Sequence, residues 1–184
     1  LTLGGIHNFN SNFGMVFDGH YAVKDQDAYY ADSANHIVDT VLRHYSFTPR
    51  FNYDYEIKNM PSKNIFGIDI NYADYSSDRK ASVYATQPKL RHESNQLSFG
   101  MYSQNSINLS DSLNLSGGLR FQRMLFNGGT VLNKNAEGDV WAEDNDSISQ
   151  SDNRLGANVG IEYFIQSNFS LFGRSARSFR IANI

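Results

Sequence analysis

Apolar and polar residues alternate with period two along most of this chain, the mark of strands with one apolar and one polar face. From Phe13 the odd positions read Phe13, Met15, Phe17, Gly19, Tyr21 and Val23, while Asp18, His20 and Lys24 fall on even ones. From Tyr45 the sorting is cleaner. Tyr45, Phe47, Pro49, Phe51, Tyr53, Tyr55 and Ile57 share one face, and His44, Ser46, Thr48, Arg50, Asn52, Asp54 and Glu56 share the other. Phe66, Ile68, Ile70 and Tyr72 then oppose Gly67, Asp69 and Asn71; Leu97, Phe99 and Met101 oppose Gln96, Ser98 and Gly100. Leu113, Leu115, Leu119 and Phe121 oppose Asn114, Ser116, Arg120 and Gln122, and Leu155, Val159, Ile161 and Tyr163 oppose Arg154, Asn158 and Glu162. A last run covers Phe169 to Arg180 and a weaker one opens the chain at Leu1 to Asn8, so the pattern predicts eight strands and no helix.

The predicted connections alternate in length. Short turns rich in Asn, Ser and Lys fall at Asn8–Asn12, Lys58–Lys63, Asn108–Ser112 and Gln166–Asn168. Long polar loops fall between them, at about Asp25–Asn35, Ser77–Lys89 and Asn127–Asp152. Such alternation describes an all-β, antiparallel up-and-down sheet with short turns on one rim and long loops on the other, as in outer-membrane barrels. A soluble sandwich shares the period. Strand length favours the membrane: soluble strands run about 5–6 residues, a spanning strand needs about 9–11, and several runs here exceed ten.

Composition narrows the picture. With 40% hydrophobic and 19% charged residues and no apolar run near the ~18 of a spanning helix, a helical membrane protein is excluded. Eleven Tyr and thirteen Phe against one Trp suit a pleated surface on which rings pack across strands. No shift in composition divides the 184 residues, which are expected to form one unit. The sixteen Lys and Arg are scattered and the net charge is −3, so no basic stripe for nucleic acid exists. Without Cys there is no disulfide or zinc-thiolate site. Leu1–Ile6 lacks the character of a signal peptide, and both ends are expected to be cut inside a longer chain.

Candidate chemistry is sparse. No G-x-S-x-G elbow, H-E-x-x-H or phosphate loop is present, so no enzyme is expected. Arg50, Asp54, Glu56, Asp69, Arg120, Arg154, Glu162, Arg174 and Arg180 lie on predicted polar faces, which a barrel turns into its lumen, where they would guide a polar ligand or simply wet the wall. Glu143, Asp144, Asp146 and Asp152 offer the hard oxygens that Ca²⁺ takes. Their spacing misses the EF-hand template, with Ile148 at a ligand position and no turn Gly, which favours a solvated loop. His7, His20, His36, His44 and His92 stand at no metal-ligand spacing. Tyr21, Tyr29, Tyr30, Tyr75, Tyr84 and Trp141 fall near loop ends, where an aromatic girdle or a ligand platform would place them.

Four segments resemble TonB-dependent outer-membrane receptors. They are Ser46-Phe47-Thr48-Pro49-Arg50-Phe51 with Phe66–Tyr72 and Asp74–Arg79; Met101-Tyr102-Ser103-Gln104-Asn105; Leu113–Phe121 with its Gly118-Leu119-Arg120; and Leu171–Ile184, which departs where Pro is usual, at Ala182. The resemblance covers about Tyr45 to Ile184, with only general likeness before it. It implies part of a barrel of ~22 strands, here 1–184, lacking a plug domain and energy-coupling box. It further implies outer-membrane lipid and TonB as partners, no cofactor, and uptake of a scarce ligand such as an iron-siderophore, haem or cobalamin. The alternatives are a free-standing eight-strand structural or adhesion barrel and a soluble β-sandwich module.

Overall fold

The computed structural model describes residues 1–30, 37–82, 84–85, 87–133, 145–166 and 168–179. Nine strands form one antiparallel sheet: β1 (Thr2–Asn8), β2 (Phe13–Tyr29), β3 (Ile37–Phe47), β4 (Arg50–Ile57), β5 (Met60–Lys80), β6 (Leu90–Ser110), β7 (Leu113–Leu132), β8 (Asn145–Gln166) and β9 (Phe169–Arg177). They occupy eight places, in sequence order, because β3 and β4 lie end to end between β2 and β5. Their register is continuous: Phe47 faces Gly19 and Ile70, and three residues on Arg50 faces Val16 and Gly67. Only Pro49, which has no N–H to give, interrupts the ladder. Its carbonyl still accepts from the Ile68 N–H at 3.0 Å, and the Thr48 N–H donates to the Asp18 carbonyl at 2.9 Å. The run predicted from Tyr45 to Ile57 is thus one strand position, and the expected eight neighbours in order are what the sheet contains.

All the short turns lie on one rim. The turn predicted at 58–63 tightens to Lys58 and Asn59, with φ of 49° and 62°, the double positive φ of a type I′ turn. At the first turn the Asn10 side chain accepts from the N–H groups of Asn12 and Phe13, both at 2.8 Å. The opposite rim differs from expectation. Residues assigned to long loops are in large part strand: β2 runs on to Tyr29, β5 to Lys80, and β7 and β8 stay paired as far as Val131 with Asn145. Beyond the apolar zone both faces are polar, so the period-two pattern vanishes while the ladder continues, held by pairs such as Arg91–Asp78 at 2.6 Å and His92–Thr130 at 2.8 Å.

Register sorts the side chains as the sequence does. Phe51 packs against Phe13 and Phe66, with ring centroids 5.9 and 5.0 Å apart, in adjacent strands of its own sheet. Among the described residues no second layer covers either face and no hydrophobic side chain is buried. The buried polar side chains include Ser77, Gln96 and Ser98 (1, 9 and 6% exposed), whereas Leu97 and Met101, next to them on β6, are 39 and 47% exposed. The polar face is therefore the sheltered, inner one and the apolar face the outer one, the reverse of a soluble β-sandwich.

Candidate functional site

Every strand-borne candidate on the polar face projects from a strand whose register fixes its side. Asp69 on β5 and Arg120 on β7 meet in an ion pair of 2.7 Å, although β6 lies between them. Gly100 makes this possible. It sits opposite Asp69, and a Cβ there would stand 3.1 Å from the Arg120 guanidinium. The guanidinium also donates to Gln122 at 3.2–3.3 Å, Gln122 donates to Ser98 at 2.7 Å, and the charge lies 5.7 Å from the centre of the Tyr102 ring. Tyr102 in turn lies over Gly67, opposite which stands Arg50. A second contact skips a strand at Gly118, over which Asn158 on β8 donates to Gln104 on β6 at 3.2 Å.

Two cavities flank this cluster. One, of about 540 Å³, is lined by Tyr102, Gln104, Arg120, Asn158 and Arg174. The other, of about 350 Å³, is lined by His44, Asn71, Gln96, Ser98 and Gln122. The structure thus gathers Asp69, Arg120 and Arg174, with Arg50 across the Gly67–Tyr102 contact. It leaves the remaining candidates apart: Arg154 pairs with Asp152 at 2.7 Å, Glu162 accepts from Ser170 at 2.9 Å, and Asp54 borders a rim cavity with Glu56 and Lys63. Of the calcium candidates, Glu143 and Asp144 lie outside the described residues, as do Trp141 and Arg180, and of Asp146 only the backbone is described, paired with Thr130. Among the described residues no three His, Asp or Glu gather as metal ligands.

The apolar face has its own order. Tyr21, Tyr45 and Tyr72 stand in one cross-strand row, with ring centroids 4.8 and 6.1 Å apart. Toward the turn rim Tyr53 and Tyr55 stack at 5.3 Å, and Tyr55 donates to Asn105 at 2.6 Å. Past the upper row the same face turns ionic, with Arg43–Asp74 at 3.5 Å, Lys80–Asp39 at 2.9 Å and Arg91–Asp78 at 2.6 Å. Tyr75, expected near a girdle, has polar-face parity, opposite Leu42 and Ser94. Arg123 falls on the apolar face opposite Phe99, one row inside the Tyr45–Tyr72 row, a place from which long cations reach an interface.

A sheet with a polar inner face, an apolar outer face and unlike rims matches the family model "TonB dependent receptor-like, beta-barrel" over residues 1–184. The chain belongs to that family. The match takes in the first forty residues, where the sequence carries only a general likeness. Members of this receptor and transporter family lie in the outer membrane of Gram-negative bacteria. No curated protein matches the chain in sequence. Among solved structures the receptor barrel is similar to the ferric-catecholate import receptor Fiu of E. coli K12, with a TM-score of 0.74, 10% identity, and 95% of this chain against 32% of that one. It is similar also to the siderophore receptor PiuA of Acinetobacter baumannii (TM-score 0.68, 11% identity, 95% and 31%). The ferric yersiniabactin uptake receptor FyuA of Yersinia pestis aligns too (TM-score 0.64, 12% identity, 94% and 26%). The chain spans between a quarter and a third of these receptors.

The ion pair and its glycine window were not legible in the sequence. Asp69 and Arg120 are 51 positions apart, and only the pairing of three strands brings them together. The same holds for His20 and His44, whose rings lie 6.1 Å apart on the polar face.

Proposed function

We propose that residues 1–184 are part of the barrel domain of an outer-membrane receptor that imports a scarce ligand, such as an iron-siderophore, haem or a cobalamin. On this reading a plug domain and the remaining strands belong to the same receptor, and TonB supplies the energy through that plug. The role is transport, without catalysis or a resident cofactor. The apolar face meets outer-membrane lipid, and the polar face, with Arg50, Asp69, Arg120 and Arg174, lines a wet lumen.

One observation carries the reading: inner polar residues such as Gln96 and Ser98 are buried while outer apolar ones are exposed, between the Tyr21–Tyr45–Tyr72 row and the Tyr53–Tyr55 stack. Tyr45 and Tyr55 are ten residues apart, and at about 3.3 Å per residue and a tilt of about 40° that is about 25 Å, the height of an outer-membrane apolar band. The siderophore receptors among the similar folds favour a metal chelate as the ligand. The test is growth of a strain deleted for the receptor on iron-siderophore, haem or cobalamin as the limiting nutrient. Loss of uptake of one ligand, restored by the receptor only when TonB is present, is expected; unchanged uptake of all three would contradict the proposal.

A further inference from the structure

Of the chain's histidines, His20 and His44 alone among the described residues approach one another. His20 lies opposite Ser46 and His44 opposite Ala22, so the two are diagonal neighbours on β2 and β3, each preceding a tyrosine of the upper row. Their ring centroids are 6.1 Å apart. Two imidazoles sharing a tetrahedral metal at ~2.0 Å per bond stand about 5 Å apart, a difference that side-chain rotation closes.

Three further features suit a metal. The Nδ1 of His20 lies 3.0 Å from the Thr2 hydroxyl; with Nδ1–H donating there, the Nε2 lone pair is left for a ligand bond, the orienting role such partners play at histidine sites. His44 borders the cavity of about 350 Å³ with Asn71, Gln96 and Ser98, room for the waters that complete a coordination sphere. The nearest same-face charges on these strands, Asp18 and Lys24, are of opposite sign. The other described histidines lack this setting. His92 sits beside Arg79, and His7 packs edge-on against Phe9, 4.6 Å away.

We propose that His20 and His44 form a two-imidazole site for a borderline divalent transition-metal ion, with Cu²⁺ bound more tightly than Ni²⁺ or Zn²⁺, on the lumen wall near the long-loop rim. The inference rests on the reading of the polar face as wet lumen. Both imidazoles bind neutral, each giving one lone pair and displacing water.

Cu²⁺ titrated into the whole receptor in detergent micelles, followed by electron paramagnetic resonance, is the test. A saturable site with two coupled nitrogens is expected. His20→Ala or His44→Ala should leave one nitrogen and weaken binding about 10²-fold, the low end of what losing a linked contact costs, whereas His92→Ala should change nothing. His20→Gln and His44→Gln, checked for native heat-modifiable mobility, keep the comparison free of folding defects. Absence of saturable binding, or a two-nitrogen signal surviving the double variant, would overturn the assignment. In proteoliposomes, Ser46→Cys labelled by a charged maleimide shows the face to be wet. Labelling without Cu²⁺ binding defeats the metal site alone, and failure to label defeats the lumen reading with it.

Discussion

Glycines decide what the side chains of the inner face can reach. A Cβ on Gly67 would lie 2.6 Å from the Tyr102 hydroxyl and 2.9 Å from the Pro49 carbonyl oxygen. The tyrosine end could shift; the backbone oxygen cannot. Gly67→Ala is therefore expected to cost about 1–3 kcal/mol, as overpacking does. Gly19→Ala is the contrast, because a Cβ there meets only the Leu3 carbonyl at 3.7 Å, and lower entropy of the unfolded chain should stabilise by about 0.4–1 kcal/mol. Refolding equilibria in micelles with urea measure both, and equal effects would contradict the packing argument. The Asp69–Arg120 pair, with both partners partly wetted, should couple by at most about 1 kcal/mol in a double-mutant cycle. Its place is more telling than its strength. The polar side of Arg120 was readable from alternation, but its partner was not, because the contact crosses a strand and depends on Gly100 lacking a side chain.

At the scale of elements, register was legible wherever one face is apolar, since a slip of one residue would turn every side chain to the other face. It faded where both faces are polar, and there the upper ends of β2, β5, β7 and β8 read as loop. Those ends are held by ordinary cross-strand pairs, one of them pH-dependent. His92 bonds the Thr130 hydroxyl at 2.8 Å, and its pKa is lowered, first by burial and then by the nearby Arg79 guanidinium. Because the folded pKa lies below that of the open state, the open state binds more protons between the two. Protection present above the ordinary histidine pKa of about 6.5 is therefore lost as pH falls through the folded value. Hydrogen-exchange protection factors at the β6–β7 ends should drop between pH 7.5 and 5.5 in the native receptor and not in His92→Gln; an equal drop in both would refute the assignment. The Lys58–Asn59 turn offers a second check at this scale. Lys is a poor choice for φ of 49°, and Lys58→Gly should stabilise the hairpin by about 1 kcal/mol, whereas Lys58→Val should destabilise it. The same urea equilibria report the sign.

For the molecule as a whole, the sheet has no interior of the soluble kind. Leu119, Leu155 and Val159 are 62, 61 and 59% exposed, and among the described residues β1 and β9 each pair on one side only. Open edges and a continuous apolar face recruit other chains. Residues 1–184 expressed alone should aggregate in plain buffer and disperse in detergent, and sedimentation as a monodisperse, cooperatively melting monomer would count against the membrane assignment. The central claim is that one face meets lipid and the other water. Spin labels placed singly at positions 45–57 of the receptor in bilayers test it most directly, through collision with apolar oxygen and with a polar nickel chelate. The account predicts period-two alternation of both, out of phase, with oxygen highest at 47, 51 and 53 and the chelate highest at 46, 50, 52 and 54. In-phase profiles, or chelate access at Phe51, would contradict it.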